Sequence, residues 1–131
     1  MPSIRPVVAL IAHDRRKDAI QQFAREHQAV FSGCDLIATS TTGGLIAEAT
    51  GLPVTRYLSG PLGGDAQIAA QVAVGQVAAV IFLVDPLYAH PHEPDIQSLL
   101  RVCNVHNIPL ATNLATAALV LCHLETVTSE E

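Results

Sequence analysis

Apolar and polar positions alternate along this chain in blocks. Residues 6–13 (P-V-V-A-L-I-A-H) are a continuous apolar run, the pattern of a strand covered on both faces. Over 15–30, Ala19, Ile20, Phe23, Ala24 and Val30 recur at helical spacing and predict a helix. Residues 35–39 read as a short strand, and 43–50 as a short helix closed by Gly51, with Pro53 beyond it. A weak third strand is predicted over 55–58, a helix over 65–74, and the clearest strand of all over 78–84. Three prolines and two histidines make 85–94 irregular. Residues 95–107 then place Ile96, Leu99, Leu100 and Cys103 on one helical face. A fifth strand follows over 108–112 and a last short helix over 115–121. The end of the chain, from about 123 and through its acidic residues 125–131, is expected to fray.

Strands alternating with helices imply an α/β fold, a parallel sheet with right-handed crossovers and helices on both faces. The 131 residues are expected to form a single three-layer, doubly wound domain over 1–131, without repeats or an interdomain linker. Half the residues are hydrophobic and the mean hydropathy is +0.36. No apolar run reaches the ~18 residues that span a bilayer, and M-P-S-I-R-P lacks the apolar region of a signal peptide. The apolar surplus is therefore expected to cover subunit interfaces, with no membrane partner.

A net charge of −5, with two Tyr, three Phe and no Trp, argues against a nucleic-acid surface, which needs clustered Lys/Arg and stacking rings. Cys34, Cys103 and Cys122 show no C-x-x-C spacing and read as reduced thiols of a cytoplasmic protein. Neither they nor the six His have the spacing of a metal site.

The polar residues are not scattered over this scheme. His13 and Asp14 end the first strand, and Thr39, Ser40, Thr41 and Thr42 end the second. Ser59 to Asp65 follow the third, Asp85 and His92 follow the fourth, and Thr112 with Asn113 ends the fifth. Every cluster falls at a strand's carboxyl end, where open α/β sheets bind their ligands.

Each cluster has a structural reading beside a chemical one. S-G-P-L-G-G-D (59–65) puts three of the chain's eight glycines beside one carboxylate, which suits an anion held against a base; Asp65 would equally cap the helix that follows. T-S-T-T-G-G (39–44) runs into a helix, so hydroxyls and unpaired N–H groups converge at a positive dipole end. Lys17, the only lysine, is either solvated surface or the counter-charge of a bound anion. His13 is either a hydrogen-bonded core residue or a ligand contact, and His92 sits in a loop stiffened by Pro91 and Pro94. Asp85 could start a turn and Asp95 could cap the next helix.

I-A-H-D-x-x-K (11–17), A-T-S-T-T-G (38–43), S-G-P-L-G-G-D (59–65), D-P-L (85–87) and P-H-E-P-D (91–95) together resemble the methylglyoxal synthase family. The likeness runs in order from about Val7 to Thr116, through L-L-R (99–101) and N-I-P-L-A-T-N (107–113). It implies a five-stranded parallel sheet in the order 3-2-1-4-5, a homohexamer, no cofactor, and a phosphorylated triose as substrate. The reaction implied is conversion of dihydroxyacetone phosphate to methylglyoxal and inorganic phosphate. Carried over by motif, Asp65 would be the catalytic base, with His92 and Asp95 completing the catalytic set. Lys17, Thr39, Ser40, Thr41, Thr42, Ser59 and Gly60 would hold the phosphate. His13 would contact substrate oxygens, and Asp14 and Asp85 would orient these groups. Ser40 stands where glycine is common in the family. The same fold also serves as a non-catalytic module that senses a phosphate ligand. Such a module needs the cradle and no base, so Asp65, His92 and Asp95 favour the enzyme.

Overall fold

A computed structural model of the chain describes residues 5–87 and 96–129. Strand β1 (Val7–Ala12) pairs in parallel with β2 (Asp35–Ala38) on one side and β4 (Ala79–Leu83) on the other. Strands β3 (Val54–Arg56) and β5 (Leu110–Ala111) close the edges, so the order is β3-β2-β1-β4-β5, all parallel.

The period-2 alternation of β1 explains the three layers. Val8, Leu10 and Ala12 face one side, and Ala9 and Ile11 the other; all five are fully buried. The first face is covered by α1 (Lys17–Glu26) through Ile20, Phe23 and Ala24, by α3 (Ser40–Thr50) through Ile46, and by α6 (Leu114–Ser129) through Ala117, Leu121 and Leu124. Ile68 and Val72 of α4 (Gly64–Ala73) and Leu99 and Cys103 of α5 (Ile96–His106) cover the second. Burying a side chain such as Ile11 or Phe82 contributes about 1.5–3 kcal/mol, so these two faces hold the sheet rigid beneath its loops.

Several boundaries differ from the pattern-based expectation. The helix expected over 15–30 opens as a 3-10 turn (Asp14–Arg16) and breaks at His27, whose φ of −114° and ψ of 26° leave the helical region. A short α2 (Gln28–Phe31) follows the break. Helix α3 starts at Ser40 rather than 43, and it ends as expected, with Gly51 left-handed at φ 73°. Strand β5 is only two residues long. Helix α6 does not stop at 121: the segment expected to fray from about 123 is helical as far as Ser129. Among the described residues no helix is long and apolar enough to cross a membrane.

Candidate active site at the carboxyl rim of the sheet

The strand order lays the polar clusters side by side along one rim: Ser59–Asp65 after β3, Thr39–Thr42 after β2, His13–Lys17 after β1 and Asp85 after β4. His92 and Asp95, with the rest of 88–95, lie outside the described residues.

At the end of β1, His13 is 3% exposed and fixed from three directions. Its backbone N–H donates to the Leu83 carbonyl (3.0 Å), and its ring meets Phe82 edge-on at 5.2 Å. Its Nδ1 accepts the backbone N–H of Asp85 at 2.9 Å. An acceptor nitrogen carries no proton, so the hydrogen of the neutral ring sits on Nε2, which is then a donor. Asp85 is buried and also begins a turn, accepting the Leu87 N–H at Oδ1 (3.1 Å); Arg15 Nε stands 3.9 Å from its Oδ2. Asp85 thus forms a turn, as one of its two readings expects, and its backbone N–H holds the His13 ring.

Lys17 is not a solvated surface lysine. Its side chain is only 19% exposed; Nζ donates to the Ala12 carbonyl at 2.7 Å and lies 3.4 Å from Asp14 Oδ1. The ammonium is thereby drawn back over the end of β1 while standing at the first residue of α1.

Beside it, Thr39 is the N-cap of α3 with no side-chain capping bond, so Ser40, Thr41 and Thr42 form the helix's first turn. Their N–H groups have no acceptor within the helix and point towards its positive end. Thr42 is wholly buried, and among the described residues its hydroxyl has no hydrogen-bond partner. A buried hydroxyl without a partner costs about 1–3 kcal/mol, a penalty that a bound oxygen would remove.

After β3, Ser59 and Gly60 lead a 3-10 turn (Gly60–Leu62), and the Ser59 carbonyl accepts the N–H groups of Leu62 (3.0 Å) and Gly64 (2.9 Å). The cap of α4 is Gly63, left-handed at φ 103°, and not Asp65. The capping account of Asp65 therefore fails: the carboxylate stands one residue inside the helix, in its first turn. Gly64 is required for contact rather than for φ, since a Cβ there would overlap the Leu58 carbonyl oxygen.

The rim after β5 is different. Asn113 caps α6 through Oδ1, which accepts the Thr116 N–H (2.9 Å) and hydroxyl (3.1 Å), so its role is structural. An apolar groove of about 520 Å³, between Pro6, Ile108, Leu119 and Val127, lies at the opposite end of the sheet from this chemistry.

Arg56 escapes the sequence reading. It ends β3, its Nε donates to the Ser40 carbonyl at 3.0 Å, and its Nη2 lies 3.4 Å from Ser40 Oγ. The one available signal is that it is the only Lys or Arg between Arg25 and Arg101 and that it falls on the same rim.

A doubly wound α/β domain whose carboxyl rim gathers a cation, orphaned helix N–H groups, a fixed imidazole and the first-turn carboxylate of Asp65 has the chemistry to hold a small anion beside a base. Residues 19–112 match the model of the MGS-like domain family. The chain is 60% identical over 127 residues to the methylglyoxal synthase of Cupriavidus metallidurans, covering 97% of this chain and 91% of that protein. To the methylglyoxal synthase of Thermus thermophilus it is 62% identical over 110 residues, 84% of this chain and 87% of that one. The crystal structure of methylglyoxal synthase from Elizabethkingia anophelis superposes with a TM-score of 0.86 at 44% identity, over 89% of this chain and 77% of that chain. The chain belongs to the methylglyoxal synthase family.

Proposed function

We propose that this protein is a carbon–oxygen lyase that converts dihydroxyacetone phosphate to methylglyoxal and inorganic phosphate. The observation that carries this reading is its near full-length likeness to proteins named methylglyoxal synthase, supported by a rim that brings Lys17, the first turn of α3 and the Asp65 carboxylate to the same end of the sheet.

Asp65 takes a proton from the hydroxymethyl carbon, and the electron pair moves onto the ketone oxygen to form an enediolate. His92, in concert with Asp95, and His13 through its Nε2–H donate hydrogen bonds to the substrate oxygens as charge develops on them. The former ketone oxygen then takes up a proton and the terminal hydroxyl gives one up. The terminal oxygen's electron pair forms the aldehyde carbonyl, and the C=C pair shifts to the phosphate-bearing carbon and expels phosphate. The enol left behind takes a proton at its methylene carbon to become methylglyoxal. Expulsion requires the C–O bond to stand roughly perpendicular to the enediolate plane. The phosphate cradle of Lys17, Thr39, Ser40, Thr41, Thr42, Ser59 and Gly60 sets that angle, and so decides the product as well as the affinity. Asp14 steadies the Lys17 ammonium, and Asp85 holds the His13 tautomer. No step calls for a metal or organic cofactor.

The protein acts in the cytoplasm as a homohexamer, on a bypass of glycolysis that returns phosphate from triose phosphate. Leu62, Val105 and Leu119, each at least 70% exposed, are the kind of surface that subunits bury. Light scattering that returned a stable particle of one 13.8 kDa chain at micromolar concentration would overturn the oligomer.

The function itself is tested by supplying dihydroxyacetone phosphate and measuring both products. Methylglyoxal and phosphate are expected in equal amounts; phosphate binding without either product would point to the sensing module instead.

A further inference from the structure

Arg56 rests on a seat made by two glycines. A Cβ at Gly43 would come 2.7 Å from Arg56 Cγ, and one at Gly44 would come 3.1 Å from Nη2 and 3.2 Å from Cζ. The glycines of T-T-G-G therefore make room for an arginine, whatever else they do. The guanidinium is tied by its two contacts with Ser40 to the first residue of α3, where the sequence has a serine in place of the family's common glycine.

A cation at a helix N-terminus opposes the macrodipole. Among the described residues Arg56 has no carboxylate within ion-pair distance to offset it. The same turn contains the buried, unpartnered hydroxyl of Thr42, and Lys17 brings a second cation at the end of the adjacent strand. Among the described residues Lys17 is offset only by Asp14, which is 75% exposed, so Arg56, a dipole end and a hydroxyl able to donate together favour an anion here.

We propose that Arg56 is a positioning residue for the phosphate group. Seated on Gly43 and Gly44 and tied to Ser40, it fixes the first turn of α3 and adds charge beside it, strengthening the hold on a dianion without touching the reacting carbons. This rests on the reading that the first turn of α3 holds the substrate's phosphate.

The test compares the wild type with Arg56→Gln and Arg56→Lys, using calorimetry with inorganic phosphate and steady-state turnover of dihydroxyacetone phosphate, at low and high salt. Arg56→Gln should weaken phosphate binding and raise KM by a common factor of about three- to fivefold at low salt, the size of one partly screened charge near a helix end. The factor should shrink at high salt, with kcat within about twofold. Arg56→Lys should recover most of the loss. The proposal is overturned if Arg56→Gln binds phosphate as tightly as the wild type, if Arg56→Lys loses as much as Arg56→Gln, or if the loss falls on kcat alone. A wild type that binds phosphate but makes no methylglyoxal would remove the enzymatic reading and leave the phosphate comparison to decide on Arg56. A wild type that binds no phosphate would overturn both.

Discussion

Replacing Lys17 by methionine keeps the aliphatic stem, which is mostly buried, and removes the charge. Two effects on stability oppose each other. Loss of the 2.7 Å bond to the Ala12 carbonyl costs about 0.5–1.5 kcal/mol. Removing a cation from the first residue of α1 returns about 0.3–1 kcal/mol. The contact with Asp14 adds little, because that carboxylate is 75% exposed. The net change is at most about 1 kcal/mol, or a melting shift of about 5 °C. The functional loss is larger. A charge-assisted hydrogen bond to a phosphate contributes about 1.5–3 kcal/mol, which is roughly 10- to 150-fold in affinity. Because one ammonium serves both anions, KM for dihydroxyacetone phosphate and the inhibition constant of inorganic phosphate should rise by the same factor. Steady-state kinetics with phosphate as inhibitor, alongside a thermal melt, measure all three quantities. If phosphate inhibited Lys17→Met as strongly as the wild type, Lys17 would not belong to the cradle.

Gly64→Ala should cost about 2–3 kcal/mol and displace the start of α4, because its Cβ would strike main-chain atoms of Leu58 that cannot rotate away. Gly51→Ala, which meets nothing within 4 Å but needs φ 73°, should cost only about 1 kcal/mol; equal losses in chemical denaturation would contradict the steric argument. Burial raises the pKa of the Cys34 and Cys103 thiols, with Arg5 opposing and Asp35 adding to the effect at Cys34. In a thiol-labelling time course, exposed Cys122 should react first and the other two only on unfolding. Above about pH 8.5 the unfolded chain's thiols ionise while the folded ones stay protonated, so stability should fall as pH rises, and less in Cys34→Ala. A melting temperature flat from pH 8 to 10 would count against the buried thiols.

The alternation of buried strands and amphipathic helices was legible because both faces of the sheet are covered, which leaves continuous apolar runs such as 79–83. The strand order came from the family likeness, since periodicity says nothing about which strands are neighbours. Hydroxyl-rich residues read as loop, which hid the start of α3 at Ser40, yet they suit a first turn whose N–H groups have no acceptor within the helix. The length of α6 was hidden by the polar end of the chain beyond Leu124, while Ala117, Leu121 and Leu124, at four- and three-residue spacing, carry the helix on. Asp65 looked like a cap because the left-handed Gly63 that does the capping has no sequence mark apart from being one glycine of three. Arg56 was invisible because its partner lies 16 residues away and the contact depends on the sheet that brings β3 beside β2.

Asp65→Asn bears most directly on the central claim. The substitution keeps the size of the side chain and removes the basic oxygen that would accept the proton. Asp65 does not cap α4, and its place in the first turn contributes about 0.3–1 kcal/mol. Turnover of dihydroxyacetone phosphate should fall by at least ~10²-fold, while phosphate binding is kept or strengthened and the melting temperature barely moves. Normal turnover by a folded Asp65→Asn protein would contradict the assignment of Asp65 as the base.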